Sequence, residues 1–127
     1  MACKNIELIK SLLDKYMNGD GQGYIDGCSD DFKGQIFSGL IPGGNSINGK
    51  EELQELFKKM PEYIEVIKFE PKDWSAIRNI VYFTVDWEFK WVPTGKIVKT
   101  SANVKKVIKD GKISEKYHIV NYGDIID

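Results

Sequence analysis

The sequence predicts an α+β fold in which a curved antiparallel sheet wraps around N-terminal helices. Three observations carry this. Apolar residues at helical spacing fall in the N-terminal half, and period-two segments separated by turn signals fill the C-terminal half. The third is the stretch from Ile80 to Val92, I-V-Y-F-T-V-D-W-E-F-K-W-V. Its odd positions Val81, Phe83, Val85, Trp87, Phe89 and Trp91 are large and apolar, whereas Tyr82, Thr84, Asp86, Glu88 and Lys90 lie between them. That is a strand with one apolar face and one polar face. At roughly 1.5–3 kcal/mol per buried side chain, six such residues represent about 9–18 kcal/mol gross, so protein or ligand must cover them.

The elements follow in order. A first helix is expected over Asn5 to Met17, because Ile6, Ile9, Leu13, Tyr16 and Met17 share a face and Asn5 suits the N-cap. The glycines of Asn18 to Gly23 end it. A weak second helix, about Asp20 to Asp30, would present Tyr24, Ile25 and Cys28, followed by a short strand at Phe32 to Phe37 and a loop from Leu40 to Gly49. Asn48 is then a cap for a third helix, with Glu51 as its capping-box partner and Leu53, Leu56, Phe57 and Met60 as its buried stripe. Four strands complete the chain. They are Tyr63 to Ile77 (interrupted near Pro71), Ile80 to Val92, Lys96 to Lys109, and Lys112 to Tyr122. Arg78-Asn79, Pro93-Thr94-Gly95 and Asp110-Gly111 are the turns between them, the last a strong hairpin signal. Phe83, Val85, Trp87, Leu13, Leu56 and Phe57 are the expected core.

A chain of 127 residues is expected to be a single domain with a real core. Its net charge is −1, and its basic residues are dispersed, with Arg78 the one arginine. No electrostatic footprint for a phosphate backbone exists, so no nucleic-acid partner is expected. No apolar run approaches the ~20 residues of a bilayer span, so no membrane partner is expected either. Met1 to Asn5 lacks a signal-peptide core, and Cys3 and Cys28 form no metal or redox motif. A cytoplasmic protein without disulfides, cofactor or metal is the expectation.

N-G-D at Asn18 to Asp20, D-D-F at Asp30 to Phe32, G-K-E-E at Gly49 to Glu52, P-T-G at Pro93 to Gly95 and D-G-K-I at Asp110 to Ile113 occur in this order and spacing. In this the chain resembles, over nearly its whole length, the SnoaL-like and ketosteroid-isomerase-like branch of the nuclear-transport-factor-two-like superfamily. The resemblance implies a cystatin-like cone with an internal pocket, closed on one side by helices and often paired through the sheet. It implies isomerase, cyclase, dehydratase or epoxide-hydrolase chemistry, or a module that only binds or associates.

The catalytic residues of such families transfer poorly. The oxyanion tyrosine of ketosteroid isomerases falls near Leu13, with Leu12 adjacent, and their aspartate base falls among Gln35, Ile36 and Phe37. Scytalone-dehydratase-like sites need two histidines, and this chain has His118 alone. Limonene-epoxide-hydrolase-like sites set an arginine between aspartates, and Arg78 lies in a predicted turn. Ile113, Glu115 and Tyr117 follow the last-strand pattern of SnoaL-like cyclases, but Asn121 occupies their aspartate position and cannot take a proton.

The candidate site follows. Glu115, Tyr117, Ile119 and Asn121 share one parity of the last strand, which the resemblance turns inward. Glu115 or His118 is the candidate base, with Tyr117 and Asn121 orienting a carbonyl, and Trp87 and Trp91 as an apolar wall. Trp74 is a candidate for closing the mouth. His118 has the opposite parity and faces away unless a bulge intervenes; a sheet-face or interface histidine is its plain alternative. Glu115 is either a charge satisfied at the mouth or an acid–base group. Asp86 and Glu88 belong to a solvated or subunit-facing surface. Three functions compete: proton-transfer catalysis on a small apolar carbonyl compound, carriage of a small apolar ligand, and an association module. A homodimer through the even face of the central strand is expected.

Overall fold

The structure is a computed structural model describing residues 2–36 and 40–119, with the backbone alone at 2, 3 and 119. Helix α1 (Ala2–Met17) and the short α2 (Gly21–Asp26) lead into strand β1 (Cys28–Gln35). A two-residue strand β2 (Ile47–Asn48) precedes α3 (Lys50–Lys59) and a tight helical turn at Met60–Glu62. The long strands β3 (Ile64–Ile77), β4 (Ile80–Trp91) and β5 (Lys96–Lys109) and the shorter β6 (Lys112–Ile119) complete the fold. The six strands form one curved, unclosed sheet in the order β2-β1-β6-β5-β4-β3.

The sheet is mixed. β3 to β6 form the expected antiparallel meander, but β1 lies parallel to β6. The reason is where the chain enters. Gly27 accepts from Ile113 N–H at 2.9 Å, and Cys28 is the register partner of Ile113, so both strands start at the same end. β1 also begins earlier than expected, because α2 stops at Asp26; the Asp20 carboxylate caps α2, accepting from Gly23 N–H at 2.8 Å.

Other boundaries moved for local reasons. α1 starts at Ala2, so Asn5 lies inside it, and its side-chain amide donates to the Arg78 carbonyl at 3.2 Å. Gly49, at φ 92°, holds the cap position of α3. The carboxylate that reaches back is Glu52, which accepts from Asn48 N–H at 3.1 Å, where Glu51 was expected. β3 continues through Pro71, which an edge strand tolerates because the missing N–H can face away from the ladder. Its pairing with β4 shifts register just beyond, between Lys72 and Ser75, where Asp73 has φ 56°, so the expected interruption falls there. Asp110 and Gly111, at φ 52° and 75°, make the two-residue hairpin turn.

The odd face of β4 is buried from Val81 to Phe89 and packs with Ile9, Leu12 and Leu13 of α1 and Leu53 and Leu56 of α3. Phe57, expected in this core, is only half-buried, since it sits at the edge of α3 against Tyr16 and Tyr24, with ring centroids 5.7 and 5.8 Å away. Among the described residues no helix is long and apolar enough to cross a membrane.

Candidate active site

The last strand decides the site. β6 pairs with β5 as Ile108 with Ile113 and then Val107 with Glu115, so Ser114 is an extra residue, a β-bulge. Its hydroxyl donates to the Val107 carbonyl at 3.2 Å. Ile113 faces inward as the cyclase pattern implies, and beyond the bulge the parity reverses. Lys116 and His118 become buried, while Glu115 and Tyr117 retain exposure.

Glu115 and Tyr117 are thus not on the inward face, which corrects the expectation from simple alternation. They pair with each other there: the Tyr117 hydroxyl donates to Glu115 Oε1 at 2.7 Å, which raises the phenol's pKa. The Lys105 ammonium lies 5.9 Å from the Tyr117 ring. Asn121 lies outside the described residues. Trp91 is half-buried against Tyr63, and Trp74 stacks on Phe83 at 4.3 Å with Lys10 over its ring, so neither borders the cavity. Trp87 does border it, as does His118.

The cavity lies between the helices and the sheet. Buried Leu13, Tyr24, Trp87, Lys116 and His118 form its floor. Half-buried Tyr16, Phe57, Val66 and Phe69 form its rim. The enclosed space is about 30 Å³, enough for a water molecule, within a concavity of about 400 Å³ that includes open solvent. A larger occupant requires the rim rings to move.

Cross-strand register places two lysines beside this floor. Phe83, Val104 and His118 form one inward row, and Val81, Lys106 and Lys116 the next. Lys106 is fully buried and its ammonium donates to the Tyr24 hydroxyl at 2.9 Å, lying 5.0 Å from that ring and 5.5 Å from the Phe83 ring. Lys116 Nζ lies 5.4 Å from the Tyr24 ring. Gly34 of β1 makes room for this strand, since a Cβ there would run into the Lys116 carbonyl.

Burial sets the charge states. It lowers Lys116 from 10.5 to about 8. Burial, then repulsion from Lys116, pulls Lys106 well below 10.5. Burial and the two lysines push His118 well below 6.5, leaving a neutral imidazole at pH 7. Burial raises Tyr24 well above 10 and Tyr16 to about 12, so both phenols keep their protons. Buried Cys28, at the start of β1, is also raised chiefly by burial. The arrangement offers a neutral base, an amine and phenolic donors in a mostly apolar setting. Sequence alternation missed both lysines, although Lys106 stands at the parity of Val98, Ala102, Val104 and Ile108, which was a readable signal.

The chain as a whole matches known structures over nearly their whole length. The fold is nuclear-transport-factor-two-like. A protein provisionally named a SnoaL-like polyketide cyclase from Mesorhizobium loti is 19% identical, with 91% of this chain and 97% of that chain covered and a TM-score of 0.75. An NTF2-like protein of unknown function from Burkholderia pseudomallei is 12% identical over 94% of this chain and 92% of that chain, with a TM-score of 0.84. TerC, solved with polyporic acid, is 17% identical over 96% and 97% of the two chains, with a TM-score of 0.82. No protein-family model and no curated protein matches the sequence.

Proposed function

We propose that the cavity takes a small, mostly apolar carbonyl compound and moves a proton on it, the first step shared by isomerases, cyclases and dehydratases. The observation that carries this is the convergence of His118 and Tyr24 on one apolar cavity. His118 is neutral and accepts the proton from the carbon next to the carbonyl. Tyr24 accepts its hydrogen bond from Lys106, which leaves its own hydrogen to donate to the developing oxyanion. A strongly acidified imidazolium makes a weak base, so the substrate must have an acidic C–H, as a β-diketone does. The cyclase-like neighbour and the polyporic acid co-crystallized with TerC support a small-molecule pocket in this fold.

The test is proton exchange. In heavy water the protein should accelerate deuterium uptake at the central carbon of a β-diketone such as 2,4-pentanedione, and His118→Gln should remove the acceleration. Binding without exchange would replace the enzyme reading with a carrier, the second reading that the missing family bases favour. The outer face of the sheet, which carries exposed Tyr82 and Ile97 and the Lys72–Asp86 ion pair at 2.7 Å, is further proposed to meet a second copy of the chain.

A further inference from the structure

We propose that Lys116 is a covalent nucleophile, whose amine condenses with the carbonyl carbon of a small apolar ketone or β-diketone in the cavity. The proposal rests on the small-molecule reading of that cavity and adds a second chemistry to it. An imine-forming lysine must reach the substrate, sit in a dry surround and have no carboxylate holding it as an ammonium. Lys116 meets these conditions. It is buried, borders the cavity, and among the described residues no carboxylate lies within ion-pair distance of it.

Lys106, its register partner, is equally buried but does not border the cavity and is engaged by the Tyr24 hydroxyl. The groups around Lys116 are Lys106 from β5, Tyr24 from α2, Cys28 from β1 and His118 on its own strand. None is an anion at neutral pH, so the set does not hold the amine protonated. With its pKa brought to about 8, roughly a tenth of Lys116 is the free amine at pH 7, hundreds of times more than for an ordinary lysine.

The step balances without a further reagent. The amine lone pair adds to the carbonyl carbon, and the carbonyl oxygen takes a proton. The nitrogen lone pair then expels that oxygen, which leaves as water carrying both hydrogens of the original NH2. With a β-diketone, a proton moves from the central carbon to nitrogen and gives a conjugated enaminone. Neutral His118 borders the same space and can relay these protons.

The probe is 2,4-pentanedione, read by enaminone absorbance, by a mass gain of one diketone less one water, and by peptide mapping. The result expected is one adduct on Lys116, formed at least about tenfold faster than on exposed lysines at neutral pH, with half-maximal rate near pH 8. Lys116→Met should abolish it, and Lys105→Met, on the outer face, should leave it intact. Should Lys116→Met fail to fold by circular dichroism, the wild-type peptide map decides alone. Adducts spread over surface lysines, or an unchanged rate in Lys116→Met, would overturn the proposal. Chemical shifts of the Leu13 and Val66 methyls separate the two readings. Shifts on adding the diketone without an adduct overturn the nucleophile and keep the pocket, whereas neither shift nor adduct overturns both.

Discussion

Lys116, Lys106 and His118 are each buried in a state that disfavours their charge, and this links them to stability. A lysine whose folded pKa lies below its unfolded value binds fewer protons when folded, so stability rises with pH between the two values. For Lys116 that window runs from about 8 to 10.5 and is worth about 3 kcal/mol. Lys106, also lowered well below 10.5 by burial, contributes with the same sign. His118 acts in the same direction, because the unfolded imidazole protonates below about 6.5 while the folded one resists. Urea unfolding should therefore show stability climbing as pH rises from about 6 to 9. Above that, buried Cys28 and Tyr24 and half-buried Tyr16, which keep their protons when folded, act in the opposite direction. Lys116→Met should flatten the upper part of that climb. A stability maximum near neutrality would show that these side chains are solvated.

At the scale of elements, the bulge at Ser114 and the parallel β1–β6 pair determine what faces the cavity. Deleting Ser114 should restore simple alternation and turn Lys116 and His118 outward, with loss of cooperative unfolding, because a one-residue slip moves every later side chain to the other face. Gly34→Ala should cost about 1–3 kcal/mol, since the added Cβ meets the Lys116 backbone carbonyl, which cannot rotate away. Phe57→Ala should cost less than the ~3–5 kcal/mol of a core phenylalanine, because its ring lies at the cavity rim. A cost at the full core value would place Phe57 inside the packing of α3 on the sheet.

The long, regular elements were legible for a plain reason. The Val81 to Phe89 face and the Leu53–Leu56 stripe repeat often enough for periodicity to be unambiguous, and both are buried. The site was not legible in the same way, because one inserted residue reverses parity and nothing in I-S-E-K-Y-H marks Ser114 as that residue. Only an apolar-parity lysine such as Lys106 hinted that buried amines were present.

On the scale of the whole molecule, fold and function separate. The likeness to cyclase-like and ligand-bound structures is a likeness of fold, and the same cone serves several chemistries. The outer sheet face predicts a homodimer, and light scattering at micromolar concentration should give twice the 14.5 kDa chain mass. A monomer would leave that face to solvent and remove pairing through the sheet from the account. The central claim, however, is that β6 turns Lys116 and His118 into an apolar cavity. The most direct test is a nuclear magnetic resonance titration of the lysine side chains, with Lys116 assigned by substitution. Lys116 should titrate near pH 8, apart from the exposed lysines; titration with them near 10.5 would place its amine in water and contradict the site.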